Sequence, residues 1–168
     1  MDFEFTPLRE SDLPMLFEWL NRPHLRKWWG PERTVAEVRE KYLPRITGED
    51  AAEPYIASLD GEPVGYIQQY RAGAVPGWYA DDPGPGVWGI DQFLADGDRL
   101  GMGLGTAMVS QFVDRMFRDP SVTEVRLDPA PDNHRAIRCY DKVGFVRSEE
   151  FRSPDGPALL MRILRRDR

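Results

Sequence analysis

Residues 87 to 118 read VWGIDQFLADGDRLGMGLGTAMVSQFVDRMFR, and this stretch restricts the possible folds more than any other. An apolar run of strand length, Val87 to Leu94, carries a single acid, Asp91. After an acidic connector come three alternating glycines, Gly101, Gly103 and Gly105. Met108, Phe112 and Met116 then recur four apart, as do Val109, Val113 and Phe117, which predicts one broad apolar helix face. A helix start exposes free N–H groups and the positive end of the helix dipole, and glycines let a backbone approach an anion closely. Strand, glycine turn and helix together predict a phosphate cradle with an acid nearby; a loop that merely starts a helix is the plainer alternative. Thr106-Ala107 follows Gly105 without a lysine, so the turn is not a P-loop, and Thr106 breaks the dinucleotide pattern G-x-G-x-x-G.

With 168 residues, 41% hydrophobic and 30% charged, the chain suits one globular domain spanning 1–168. No apolar run is long enough to cross a membrane, and Met1-Asp2-Phe3-Glu4 lacks the basic start of a secretion signal. One cysteine, Cys139, excludes an intrachain disulfide and suits a cytoplasmic location, while Cys139, His24 and His134 are too scattered to suggest a metal site. The net charge of −6 argues against nucleic acid as a partner and fits a cationic ligand as well as simple solubility.

Phe3-Glu4-Phe5 predicts a first strand. Ser11-Asp12 offers a cap for a helix bearing Leu13, Leu16, Phe17 and Leu20, which Asn21-Arg22-Pro23 should interrupt. Trp28-Trp29 then falls in a loop, either packed on the core or walling a ligand site. Thr34 should cap a second helix ending at Pro44, with Val35, Val38, Tyr42 and Leu43 buried. Residues 55–59 and 64–70 around Asp60-Gly61 form a hairpin. The Gly- and Pro-rich stretch 71–86 is loop carrying Trp78-Tyr79 and Asp81-Asp82, either a lid for a cationic ligand or a solvated loop with one packed tryptophan. A strand over 122–127, a helix capped by Asn133 and closed by Gly144, and two strands about Pro154-Asp155-Gly156-Pro157 complete the chain. The order β-α-α-β-β-loop-β-α-β-α-β-β predicts a mixed α/β domain.

With these elements placed, the chain resembles the GNAT acyltransferase superfamily, whose motif Gln/Arg-x-x-Gly-x-Gly/Ala falls on Leu100-Gly101-Met102-Gly103-Leu104-Gly105. Leu100 stands where that family has Gln or Arg, and Arg99 lies one residue early. Within the superfamily the chain is similar to the aminoglycoside 6′-N-acetyltransferases. The matching segments include Glu18-Trp19-Leu20-Asn21-Arg22-Pro23-His24, Trp28-Trp29-Gly30, Gly89-Ile90-Asp91-Gln92, Arg135 to Tyr140 and Pro154 to Ala158. The implied fold is a central, mostly antiparallel mixed sheet flanked by helices. The implied reaction moves an acetyl group from acetyl-CoA to the 6′-amine of an aminoglycoside, a resistance activity. Siderophore-type acyltransferases acting on hydroxylysine share the Trp-Trp and glycine segments but tend to carry His where this chain has Asp91. An acyl-CoA-binding sensor without turnover is a third reading.

The resemblance implies roles for individual residues. Asp91 is the catalytic acid residue, acting as base or only as a cation anchor, and Tyr140 is the proton donor to the leaving thiolate or else a packed tyrosine. Acetyl-CoA would lie along Phe93, Leu94, Arg99, Leu100, Gly101, Met102, Gly103, Leu104, Gly105 and Thr106, with Asn133, Ala136 and Tyr140 on its other side. Trp28, Gln68, Trp78, Tyr79, Asp91, Asp128 and Asp155 would meet the substrate. Cys139 is expected to be a small packed side chain. Monomer and homodimer are equally compatible with the sequence.

Overall fold

The computed structural model describes every residue except Glu32, Ala80 and Asp82. Its seven strands form one sheet in the order β1-β2-β3-β4-β5-β7-β6. They are β1 (Phe3–Pro7), β2 (Glu53–Leu59), β3 (Glu62–Arg71), β4 (Val87–Leu94), β5 (Glu124–Leu127), β6 (Val146–Ser153) and β7 (Gly156–Leu164). The helices are α1 (Leu13–Leu20), α2 (Pro23–Trp29), α3 (Val35–Thr47), α4 (Leu104–Met116) and α5 (His134–Val143). The sheet is mixed: β4 pairs parallel with β5, while β1–β2, β5–β7 and β6–β7 are antiparallel. Among the described residues no helix is long and apolar enough to cross a membrane. The chain divides into two compact units, Met1–Gln68 with Gln92–Leu100, and Gln69–Asp91 with Gly101–Arg168.

The first unit has three helices where the sequence pattern suggested two. Pro23 does not break the chain into loop; it opens α2, because a proline lacks only an N–H that the first helical position leaves unbonded anyway. Trp28 and Trp29 therefore sit on the last turn of a helix rather than in a loop. Trp29 packs edge-on to Phe93 at 4.9 Å and to Tyr66 at 6.1 Å, Tyr66 stacks on Phe93 at 5.3 Å, and Tyr42 meets Tyr66 edge-on at 5.7 Å. Such pairs add about 0.5–1.5 kcal/mol each beyond the burial of their surface. Leu16, Trp19, Leu20, Leu25, Val38 and Ile56 complete this core.

Three further expectations are corrected in this unit. The Asp12 carboxylate accepts from the backbone N–H of Arg9, so it closes a 3-10 turn over Glu10–Asp12 and does not cap α1. Thr34 and Glu37 do form a reciprocal capping box on α3. That helix nevertheless continues past Pro44 to Thr47, where Gly48 at φ 83° ends it, and Val35 faces solvent instead of the core. Asp60 and Gly61, both at positive φ, form the two-residue turn of the β2–β3 hairpin.

In the second unit α4 buries Met108, Val109, Phe112, Val113 and Met116, the face its periodicity predicted. Asn133 accepts from the N–H of Ala136 at the start of α5, and Gly144 ends that helix at φ 110°. A short 3-10 turn, Ala72–Ala74, follows β3. Pairing of β4 with β5 runs from Val87↔Glu124 to Gly89↔Arg126, although β4 continues for five more residues. At Gly89 a Cβ would lie 2.4 Å from the ring of Tyr70, so this glycine is what allows the tyrosine to lie against β4. Gly89→Ala should displace that ring and cost roughly 1–3 kcal/mol of stability, read as a lower thermal midpoint; an unchanged midpoint would show that Tyr70 can move freely.

Candidate functional site

The glycine turn has the geometry of an anion cradle. Gly101 and Gly103 adopt φ of 79° and 85°, which side chains rarely tolerate, and a Cβ on either would meet nothing within 4 Å. Gly103 is the N-cap of α4 and supplies no side-chain hydrogen bond; the first turn carries no acid. The opening N–H groups of a 13-residue helix thus lack a side-chain cap and adjoin open space, which is what a pyrophosphate requires. Gly105 lies inside the helix and not before it. Thr106 points its hydroxyl to the Cys139 sulfur, 3.5 Å away, tying the start of α4 to α5. Burial raises the Cys139 thiol pKa, in keeping with a packed side chain. Next to it, Tyr140 is half-buried with its ring edge-on to Phe145 at 6.2 Å.

Acids and aromatics gather elsewhere in the same unit. Asp128, just after β5, accepts a 2.5 Å hydrogen bond from the Trp78 indole N–H. Its pKa is pushed up to about 7, first by burial, then by the negative charge of Asp91, with Asp155 adding to the effect and the Trp78 hydrogen bond opposing it. Asp91 comes from β4, Asp128 from the end of β5 and Asp155 from the β6–β7 turn, so three separate elements deliver three carboxylates. Tyr79 packs with Ala72, Val87 and Leu160, and its hydroxyl is buried without a hydrogen-bond partner among the described residues. The Tyr70 and Tyr79 phenols lie close enough to act on each other's ionisation. Burial chiefly, and the charges of Asp91 and Asp128, hold both phenols well above their usual pKa. This part of the molecule stores negative charge and unmet polar capacity, which a polyvalent cation with hydroxyl groups would satisfy.

The structure therefore brings together Trp78, Tyr79, Asp91, Asp128 and Asp155. Trp28 and Gln68 belong to the other unit. The ring of Trp28 lies under the Lys27 ammonium at 4.6 Å, and the Gln68 carbonyl accepts from the Tyr66 hydroxyl and from Arg45, a buried structural network. Arg99 pairs with Glu62 at 3.6 Å, and the Leu94 carbonyl accepts from His24 Nε2 at 3.0 Å. Phe93 is buried in the aromatic core and Met102 is exposed. Asp81 makes an ion pair with Arg126, and Asp82 lies outside the described residues. Tyr70 and Arg126 were missed in the sequence. The available signal was an arginine between Val125 and Leu127 in a strand buried on both sides.

A family model described as an acetyltransferase (GNAT) domain matches residues 9–153. The chain is 51% identical over 158 residues to an aminoglycoside N(6′)-acetyltransferase type 1 of Klebsiella pneumoniae, covering 92% of this chain and 79% of that protein. It superposes with a TM-score of 0.93 on a crystal structure of the aminoglycoside acetyltransferase AAC(6′)-Ib in complex with coenzyme A and kanamycin, at 46% identity over 99% of this chain and 96% of that one. A lysine N-acyltransferase, MbtK, of Mycobacterium sp. (strain MCS) is more distant: 32% identical over 138 residues, 80% of this chain and 55% of that protein.

The raised pKa of Asp128 has a consequence for stability. An unfolded aspartate releases its proton near ~3.9 and the folded one near 7, so ionising Asp128 weakens the fold as pH rises through that window. Asp128→Asn removes the titration and keeps an oxygen for Trp78. Relative to wild type, the variant should gain stability between pH 5 and pH 8, on the order of 1–2 kcal/mol after allowing for the solvent contact Asp128 retains. Denaturant melts at both pH values check this, and parallel curves for the two proteins would refute it.

Proposed function

The chain belongs to the GNAT acetyltransferase family, and from that premise we propose that it transfers the acetyl group of acetyl-CoA to the 6′-amino group of aminoglycosides, the amine attacking the thioester directly. The observation that carries the substrate class is that the charges of Asp91 and Asp155 act on Asp128, which takes the Trp78 indole N–H and has its pKa pushed up to about 7. The 51% identity to an aminoglycoside N(6′)-acetyltransferase across most of the chain supports the same class.

Acetyl-CoA supplies an acetyl group already activated as a thioester. The N–H groups opening α4 and the turn 101–103 would hold its pyrophosphate by backbone alone, because Leu100 offers no polar side chain and Arg99 is engaged with Glu62. Asn133 and Ala136 at the start of α5, in the same unit as that turn, would wall the cofactor. An aliphatic amine with a pKa near ~10.4 arrives as ammonium and is not nucleophilic. In this reading Asp91 binds that ammonium and takes its proton, directly or through a water, once the amine is held in place. Asp128 and Asp155 hold the other amines of the sugar rings, and Trp78 and Tyr79 wall them. Tyr140 gives a proton to the departing sulfur. The reaction belongs in the cytoplasm, where acetyl-CoA is made.

Acetyl-CoA-dependent thiol release with kanamycin, followed by mass-spectrometric location of the acetyl group, tests the proposal. Acetylation at the 6′-amine is expected. Thiol release only with hydroxylysine-type amines would move the protein to siderophore acylation, and binding without release would make it a sensor. Asp91→Asn should lower turnover about 10²- to 10⁴-fold while leaving acetyl-CoA affinity intact. Near-wild-type turnover would remove Asp91 from the chemistry. Tyr140→Phe should slow the single-turnover step about 10²-fold with drug binding kept.

A further inference from the structure

Arg126 is a charged side chain in the middle of a buried strand, only 4% exposed. It makes three charge-assisted hydrogen bonds: Nε to Glu124 at 2.6 Å, and its two terminal nitrogens to the two oxygens of Asp81 at 2.9 and 2.8 Å. The guanidinium also lies over the Tyr79 ring at 5.1 Å. Asp81 is 57% exposed, so the loop acid comes to the buried cation and not the reverse. Two residues further along β5's path, Asp128 takes the Trp78 indole N–H. Trp78 and Asp81 are thereby held by two positions two residues apart, Asp128 just after β5 and Arg126 within it, while Tyr79 packs under the Arg126 guanidinium. Apolar packing of Tyr79 against Ala72, Val87 and Leu160 has no direction of its own. A bidentate arginine–carboxylate pair does, and it sets the orientation of the chain on either side of the carboxylate.

We propose that Arg126 is a positioning residue for the substrate's cation: through Asp81 it pins the Trp78–Tyr79 segment to β5 and so keeps the Trp78 N–H on one oxygen of Asp128. The other oxygen, Oδ1, has no hydrogen bond among the described residues and is the one presented to an ammonium group. The inference rests on the reading that Asp128 receives such a group. Losing the Trp78 hydrogen bond removes the one influence that favours the carboxylate form, while burial, Asp91 and Asp155 remain to oppose it. The Tyr70 and Tyr79 phenols facing this acid stay neutral throughout, and Arg126 on the same strand stays charged. Ionisation of Asp128 then moves to higher pH, and cation binding weakens near neutrality.

Asp81→Asn and Arg126→Gln test this, the first changing an exposed side chain that the fold tolerates even where the second does not fold. Both should raise the KM for kanamycin about five- to tenfold at pH 7 with little change in kcat or in the KM for acetyl-CoA. Both should also shift the acid limb of kcat/KM for the drug upward by half a pH unit or more. A readout independent of turnover is the Trp78 indole N–H resonance, assigned by its loss in Trp78→Phe. It should titrate near pH 7 in the wild-type protein and lose its downfield hydrogen-bonded position in Asp81→Asn. A lower melting temperature in Asp81→Asn with wild-type KM, wild-type pH limb and an unmoved indole resonance would make Arg126 merely structural. Should the protein acetylate no aminoglycoside, the proposed function fails, and the resonance still decides whether Arg126 governs the Trp78–Asp128 contact.

Discussion

Like charges resist being brought together, and the second compact unit is organised around doing so. Asp128 feels both Asp91 and Asp155, and burial penalises its charge further, so that its pKa is pushed up to about 7. A single neutral donor, the Trp78 indole, opposes this. Among the described residues no counter-cation is built against Asp128; the nearby buried one, Arg126, is spent on Asp81 and Glu124. A protein that wanted only stability would replace such an acid by an amide. Under the proposed function the arrangement serves an incoming cation, whose binding would supply the missing charge.

That requirement explains features of the fold that otherwise look incidental. The three carboxylates come from β4, the end of β5 and the β6–β7 turn, elements far apart in sequence and held in register by the β4–β5 parallel pair and the β5–β7 antiparallel pair. Gly89 accepts the Tyr70 ring where any side chain would collide, which lets an aromatic wall stand directly on the strand that bears Asp91. The glycine turn leading into α4 comes after the same strand, so one stretch of chain carries both an acid and an anion cradle. In the proposed function the opposite demands of an amine and a pyrophosphate would be met with different chemistry: side-chain carboxylates for the first, backbone N–H groups for the second.

The periodic parts of this architecture were legible in the sequence and the coupled parts were not. The α4 face, the β2–β3 turn at Asp60-Gly61 and the caps at Thr34, Asn133 and Gly144 depend on near neighbours, and each reads locally. Pro23 misled because proline both ends and begins helices, and only the packing of Leu25 and Trp29 against the aromatic core decides which. Pro44 misled for a related reason: near a helix end the one lost hydrogen bond costs less than the packing of the last turn returns. The acids of the site, Asp91, Asp128 and Asp155, stood out through resemblance, whereas their mutual influence and the Trp78 contact, 50 residues apart, have no sequence signature.

Arg126 shows where residue-type reasoning stops. From its neighbours it belongs to an ordinary buried strand, and a charged residue there is a conflict that local propensity cannot resolve. Its partner Asp81 sits 45 residues away in a segment rich in glycine and proline, whose only regular element among the described residues is one 3-10 turn and whose position is set by what it grips. Glycine and proline make such a segment cheap to shape but give it no preferred place. Anchors must come from side chains, and the strongest available are a bidentate ion pair at one end and an indole N–H on a buried acid at the other. The anchors differ in what they leave behind: Arg126 and Asp81 neutralise each other, while the Trp78 contact leaves Asp128 with an acceptor and a variable charge. In the proposed arrangement, position is secured by the pair that has no further chemistry, which would free the other contact to answer to the substrate.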